Sequence, residues 1–213
     1  MHAKQAVNDF VVKFANVNGT GSASANHMFA KAIFRMGIPV SPRNIFPSNI
    51  QGMPTWYEVR VSSKGYLGRR GGVDLMLCVN PQSMERDVRE VDPGGYFVYD
   101  STKPIDIRYV RDDIHYIGIP ITDMCLREYS DARQRLLFKN VIYVGALAAL
   151  LDIEFSVLKD LIVDQFKGKD IWKERFKSIR SFERHLADNG VLILKFFLNV
   201  SKDEQLRRFM ERL

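Results

Sequence analysis

Cysteine is scarce in this chain. The 213 residues contain two, Cys78 and Cys125, too few and too far apart for a disulfide framework or a C-x-x-C metal or redox site. A reducing cytoplasm is the expected compartment. No uninterrupted apolar run approaches the ~18 residues of a membrane helix. The opening MHAKQAVNDF has neither an apolar core nor a small-residue cleavage site, so neither export nor membrane insertion is expected. No G-x-x-x-x-G-K-S/T run occurs anywhere, which argues against P-loop phosphoryl transfer. His27 and His115 have no matching carboxylate or cysteine cluster in the sequence, so they are assigned helix-surface and strand-end roles, and no catalytic or metal residue is expected.

What is present suits a soluble globular chain, with 46% apolar and 26% charged residues in a length that allows one large domain, or one domain plus a fragment. The net charge of +6 is unevenly placed. Residues 169–213 hold 11 Lys+Arg against 7 Asp+Glu, which is +4 of the total. The cations interleave with acids at helical spacing in KDIWKERFKSIRSFERHLAD, the pattern of a solvated helix face, and no nucleic-acid partner is expected.

Strands and helices alternate along residues 9–166. Asp9 to Ala15 reads as a strand. After Asn16–Ser22, the residues Ala25, Met28, Phe29, Ala32, Ile33 and Met36 recur at helical spacing. Ser22 or Ser24 is the expected cap, and Gly37 with Pro39 the stop. Tyr57–Val61 and Val73–Val79 read as strands, Ser83 as the opening of a helix over 84–91, and Pro93–Gly95 as a turn. Tyr96–Tyr99 and His115–Ile119 are further strands, and helices follow within Tyr129–Asp152 and over Ser156–Phe166. This predicts an α/β fold, a Rossmann-like, mostly parallel sheet with helices on both faces.

Gly19-Thr20-Gly21 falls where such a sheet receives a ligand. Glycines let the backbone approach a phosphate, while the N–H groups of the following helix supply donors. The pattern departs from a dinucleotide fingerprint. Ser24 replaces the third glycine of G-x-G-x-x-G, and the stretch after the helix offers Arg43 where an acidic residue would hold a ribose. The expected cradle is therefore for a phosphate or pyrophosphate, or else a structural tight turn. The stretch Ser48–Tyr57 is rich in hydrogen-bonding and aromatic side chains, which fits either a subunit contact or a loop anchored by Trp56.

The run from Asn8 to Asn80 (NDFVVKFANVNGTGSASANHMFAKAIFRMGIPVSPRNIFPSNIQGMPTWYEVRVSSKGYLGRRGGVDLMLCVN), together with YDSTKP, REYSDARQRLLFKNVIYVGALAALLDI and QFKGK, resembles the gamma-type domain of 2-oxoacid:ferredoxin oxidoreductases. The likeness is particularly to the form fused to the N-terminus of the 2-oxoglutarate enzyme's alpha subunit, and it covers about residues 8–168. The resemblance implies coenzyme A-dependent oxidative decarboxylation of a 2-oxoacid such as 2-oxoglutarate. This domain would be an accessory to alpha and beta core subunits, not catalytic alone, and would meet ferredoxin only through them. It further implies coenzyme A handling here, with thiamine diphosphate and iron-sulfur clusters on the partners. On that view Asn18, Gly19, Thr20, Gly21 and Ser22 meet a phosphate, and Arg43, Arg69 or Arg70 neutralises one.

A seam falls near Lys169 and Asp170. Beyond it, IWKERFKSIRSFERHLADNGVLILKFFLNVSKDEQLRRFMERL resembles the polyphosphate kinase 2 family over about residues 170–213. Trp172, Phe176, Ile179, Phe182 and Leu186 share one helical face, Val191–Val200 reads as a buried strand, and Ser201–Glu204 as a capping box. The expected organisation is a gamma-type domain over 1–168 and a helix-strand-helix fragment over 169–213 that lacks the P-loop. Two alternatives stand beside the accessory role: a phosphate- or nucleotide-binding remnant of a polyphosphate kinase, or a non-catalytic fusion product. A fragment of this size buries too little surface to stand alone, so it either docks on the upstream domain or hangs as a weakly packed unit.

Overall fold

The computed structural model describes residues 7–47 and 50–165, with 181, 182 and 184. The stretch Val191–Val200 expected as a strand, the expected capping box, the seam itself and residues 205–213 lie outside the described residues, as do Ser48 and Asn49.

The apolar run at the start becomes β1 (Asp9–Val17), which the glycine turn joins to helix α1 (Ser22–Arg35). β2 (Val40–Ile45) and β3 (Pro54–Ser62) follow, then β4 (Val73–Cys78), α2 (Met84–Glu90) and β5 (Val91–Asp100). A single 3-10 turn (Ile107–Tyr109) leads to β6 (His115–Ile119), α3 (Ile121–Glu128), α4 (Ala132–Leu150) and α5 (Phe155–Gln165). The strands form one mixed sheet in the order β2-β3-β1-β4-β5-β6. β1, β4, β5 and β6 pair in parallel, while β3 runs antiparallel to both β1 and β2. All six residues of β4 are buried, as a strand covered on both faces should be.

Alternation along the central strands sorts the core into two layers. Val12, Phe14, Leu75, Leu77 and Val98 face a large cluster shared with α1, α3, α4 and α5, in which Phe14 meets Phe29 edge-on with ring centroids 5.2 Å apart. Ala15, Trp56, Met76, Cys78 and Phe97 face a smaller cluster under Val88 of α2. Among the described residues, helices thus lie on both faces, with α2 on one and α1, α3, α4 and α5 on the other.

The chain departs from its sequence reading at several points. The stretch after α1 forms β2, where Pro42 is tolerated because β2 is an edge strand needing few donors. Pro93-Gly94-Gly95 lies inside β5 as a bulge, because the register jumps from Val73 opposite Val91 to Leu75 opposite Tyr96. Gly94 has φ +77, and a Cβ on Gly95 would sit 2.8 Å from the carbonyl oxygens of both Asp74 and Asp92. α3 forms where the sequence predicts no helix, and Ile121, Met124 and Cys125 supply its buried stripe. Neither Ser22 nor Ser24 caps α1. The N-cap is Gly21, with no side-chain bond. Gly37 ends that helix as expected, at φ +83 with its N–H donating to the Phe34 carbonyl at 2.9 Å.

Candidate functional site

The strand order reverses direction between β1 and β4. β1 continues through α1 on one face toward β2, whereas β4 continues through α2 on the other face toward β5. The loops leaving the carboxyl ends of these two strands therefore diverge and leave a crevice, the usual ligand position in an open α/β sheet. Residues 18–21 form one lip and residues 79–83 the other.

The first lip is held rigidly. The Asn18 N–H donates to the Met53 carbonyl at 2.9 Å, and the Gly52 N–H returns a bond to the Asn18 carbonyl at 3.0 Å. Asn18 Nδ2 reaches the Ile50 carbonyl, Thr20 Oγ1 donates to the Val17 carbonyl at 2.8 Å, and Asn140 Nδ2 of α4 donates to the Thr20 carbonyl at 2.9 Å. Gly19 and Gly21 have φ of +86 and +76, a region that costs a side chain about 1 kcal/mol or more. A Cβ on Gly19 would also press to 2.6 Å from Gln51 Cγ. With no side-chain cap, the first N–H groups of α1 are not taken by a capping side chain at the crevice.

Beneath the lip lies a buried amide cluster. Asn26 Nδ2 donates to Asn16 Oδ1, and the Tyr143 hydroxyl donates to Asn26 Oδ1, both at 2.8 Å. Asn80 of the second lip donates through Nδ2 to the Asn16 carbonyl at 3.2 Å and accepts from the Gln82 N–H at 3.0 Å. Burial pushes the Tyr143 phenol well above its ordinary range, so it stays a neutral donor. These amides lock β1, α1, β4 and α4 together directly under the glycine turn. The sequence did carry a signal for them, since Asn26 and Asn140 are polar residues inside otherwise apolar helical stripes.

On the α2 face the second lip is anchored by Asp87, which is fully buried. Its carboxylate accepts from Trp56 Nε1 at 2.7 Å and from the Ser83 hydroxyl at 2.6 Å, with the Cys78 thiol donating at 3.5 Å. Burial raises the Asp87 carboxyl, partly offset by the Ser83 and Trp56 bonds. Burial, with Asp87 adding to it, raises the Cys78 thiol. Trp56 is thus the anchor of its own domain, with the Arg86 guanidinium 4.5 Å from its ring centroid. The exposed apolar residues of that loop are Phe46, Ile50 and Met53.

The same sheet end carries the loop after β5. Asp100 Oδ1 accepts from the Thr102 hydroxyl at 2.7 Å and from the Thr122 N–H at 3.2 Å, joining this loop to the start of α3. Lys103 is an exposed cation on it, and Lys139 stands half-buried beside Asn140.

The structure brings Asn18, Gly19, Thr20, Gly21 and Ser22 together at the crevice, and it does not bring the three arginines to them. Arg43 is exposed on the edge strand opposite Glu58, level with Lys13 and four residues before the end of β1. Arg69 and Arg70 lie on the loop between β3 and β4, at the opposite end of the sheet, where Arg70 pairs with Asp74. His27 lies exposed on α1 with Nδ1 3.3 Å from the Tyr57 hydroxyl, and His115 opens β6, stacked on Tyr96. A pocket of about 330 Å³ between α2 and the 3-10 turn is lined by Glu85, Arg89, Arg108 and Arg111. Its arginines are paired internally, with Glu85, Asp106 and Asp113.

The profile of the pyruvate ferredoxin/flavodoxin oxidoreductase family matches residues 11–193. The chain belongs to this family. Within it, the 2-oxoglutarate:ferredoxin oxidoreductase of Magnetococcus marinus, solved with 2-oxoglutarate, coenzyme A and succinyl-CoA bound, superposes with a TM-score of 0.72 at 25% identity, over 92% of this chain and 33% of that one. The gamma subunit of a keto/oxoacid ferredoxin oxidoreductase from Geobacter sulfurreducens shares the fold, with a TM-score of 0.64 at 17% identity, over 84% of this chain and 99% of that one. The chain also carries sequence similar to polyphosphate phosphotransferases. The AMP/ADP-polyphosphate phosphotransferase of Meiothermus ruber is 34% identical over 129 residues, 59% of this chain and 46% of that protein. The chain therefore spans a third of the first relative and less than half of the last. Among the described residues, no helix is long and apolar enough to cross a membrane.

Proposed function

We propose that this chain is the accessory, gamma-type part of a 2-oxoacid:ferredoxin oxidoreductase, and that it presents the β1/β4 crevice to a phosphate-bearing portion of coenzyme A while alpha and beta core subunits carry the bond-making groups. The observation that supports this reading most strongly is a rigid, glycine-lined helix start at the point where the strand order reverses, in a chain of this family. Gly19 and Gly21 let the backbone come close to a phosphate, the α1 N–H groups donate to it, and Lys103 and Lys139 stand at the same sheet end as counter-charges. Arg43, Arg69 and Arg70 take no part in this proposal, because their positions are remote from the turn.

Thiamine diphosphate and iron-sulfur clusters belong, on this reading, to the partner subunits. Among the described residues there is no group of three or more His, Cys, Asp or Glu that could hold a metal ion. Phe46, Ile50 and Met53, exposed beside the crevice, are the surface assigned to the core subunits.

The experiment is co-purification of the intact chain with alpha and beta core subunits, with and without coenzyme A, alongside calorimetric titration of the chain with coenzyme A. The proposal expects a stable complex, and it expects Thr20→Trp, which would crowd the crevice, to weaken coenzyme A binding at least tenfold while leaving the fold intact. A folded chain with no affinity for either core subunit would overturn it.

The polyphosphate phosphotransferase likeness favours one further reading, a phosphate- or nucleotide-binding remnant. Its sequence lacks the P-loop that would seat a nucleotide. Titration with ATP and with polyphosphate separates the two readings, because the accessory role expects neither to bind through residues 170–213.

A further inference from the structure

The Asp87 carboxyl is fully buried, and among the described residues no cation pairs with it. Lys13 and Arg86, the cations beside the Trp56 ring, both pair with Glu90 instead. An ionised carboxylate in that position costs stability, and burial lifts this one above its ordinary value of 3.8. Its three donors are arranged unequally. Trp56 Nε1 reaches Oδ1, whereas the Ser83 hydroxyl and the Cys78 thiol share Oδ2. Both donors to Oδ2 have a second acceptor in the Asn80 carbonyl. The Ser83 hydroxyl lies 2.6 Å from Oδ2 and 3.4 Å from that carbonyl, and the Cys78 thiol 3.5 and 3.3 Å from the same two oxygens. Asn80 is part of the second lip, and its Nδ2 donates to the Asn16 carbonyl under the glycine turn. Trp56, Cys78, Asn80, Ser83 and Asp87 are all buried, so a hydrogen released by one oxygen passes to the other and not to bulk water.

We infer that Asp87 is a proton-operated latch on the second lip, which shifts the Ser83 hydroxyl between helix α2 and the Asn80 carbonyl. Ionised, Oδ2 accepts from Ser83 and holds the lip to α2. Protonated, Oδ2 donates to Ser83 Oγ, and the Ser83 hydrogen turns to the Asn80 carbonyl, closing the lip on itself. The step takes one proton from solvent and rotates one hydroxyl. Every donor keeps an acceptor in both states, because Trp56 stays on Oδ1 and the Cys78 thiol has the Asn80 carbonyl throughout, which makes the arrangement two-state instead of a route to unfolding. The titratable and charged groups around it are Cys78 on β4, Tyr99 beside it on β5, Lys13 and Glu58 paired across β1 and β3, and Glu90 and Arg86 on α2. Of these the Cys78 thiol alone bonds the carboxylate among the described residues. The inference rests on the geometry of the second lip, not on the coenzyme A reading.

The test is an NMR titration of the intact chain from about pH 8 to about pH 4, following the Trp56 indole N–H and the Asn80 carbonyl carbon in wild type, Asp87→Asn and Ser83→Ala. The latch predicts that both signals shift with one common midpoint above 3.8. In D87N both steps vanish, and the Asn80 carbonyl sits at its acid-form position even at the alkaline end, because the asparagine amide donates to Ser83 as the protonated acid does. S83A keeps the indole step and loses the Asn80 step. Signals that stay flat above 3.8 would overturn the inference, and so would a step that survives in D87N or an Asn80 step that survives in S83A. If D87N does not fold, wild type and S83A still decide the matter. Neither core subunits nor coenzyme A are present, so this result and the accessory role stand or fall separately.

Discussion

At the scale of single residues, the glycine turn rests on polar groups buried beneath it. Tyr143, at the centre of α4, donates to Asn26, which donates in turn to Asn16 at the end of β1. Removing the hydroxyl in Tyr143→Phe leaves a buried amide oxygen short of a donor, which costs about 1–3 kcal/mol. Urea unfolding should show that loss, and an unchanged midpoint would show that the cluster does not stabilise the turn. The two thiols make a second case. Burial pushes Cys125 up to about 12 and Cys78 well above its ordinary range. Both should resist a thiol reagent at pH 8 in the native chain and react on unfolding, since the thiolate is the nucleophile. The sign of the linked stability follows. Between the ordinary thiol value of 9.0 and about 12, folded Cys125 keeps a proton that the unfolded chain releases, so stability is fully present below that window and falls as pH rises through it. Thermal melts from pH 8 upward should decline less steeply in Cys125→Ala than in wild type.

At the scale of elements, the bulge in β5 and the loop that follows it decide how the right half of the sheet is joined. Arg111 donates through one nitrogen to the carbonyls of Val88 and Val91, at 2.8 and 2.9 Å, and so ties the end of α2 to the start of β5. Arg111→Ala should raise hydrogen exchange in α2 without altering β1 or β3. Gly95→Ala should cost about 1–3 kcal/mol by overpacking against two carbonyls, read as a lowered denaturation midpoint. These elements also show what the sequence could reveal. β4 was readable because five of its six residues, VDLMLC, are apolar, and α1, α4 and α5 because their apolar stripes repeat at helical spacing. β2 was not, because VSPRNI has no alternation and a proline, and only its edge position makes it a strand. Pro93-Gly94-Gly95 reads as a turn from local chemistry, and the register jump against β4, with the Gly94 N–H donating to the Asp113 carbonyl at 2.6 Å, turns it into a bulge. Residues 18–22 were legible as a strand-to-helix turn, because glycines between a strand and a helix have local causes. The arginines were misplaced as neighbours of that turn because sequence gives charge without saying which end of a sheet a loop occupies.

At the scale of the whole molecule, the accessory role proposed above rests on a six-stranded sheet with a reversal between β1 and β4, a rigid glycine turn and exposed apolar residues beside it. Among the buried polar groups under the two lips are the amides of Asn16, Asn26, Asn80 and Asn140, the Tyr143 phenol and the Asp87 carboxylate, which accepts from three donors. The most direct test is 2-oxoacid-dependent dye reduction in the presence of coenzyme A, with core alpha and beta subunits mixed with and without this chain. The account predicts no turnover by the chain alone and a coenzyme A-dependent rise in the core's rate when the chain is added. Turnover of a 2-oxoacid by the lone chain, or a core whose rate and coenzyme A dependence ignore it, would contradict the account.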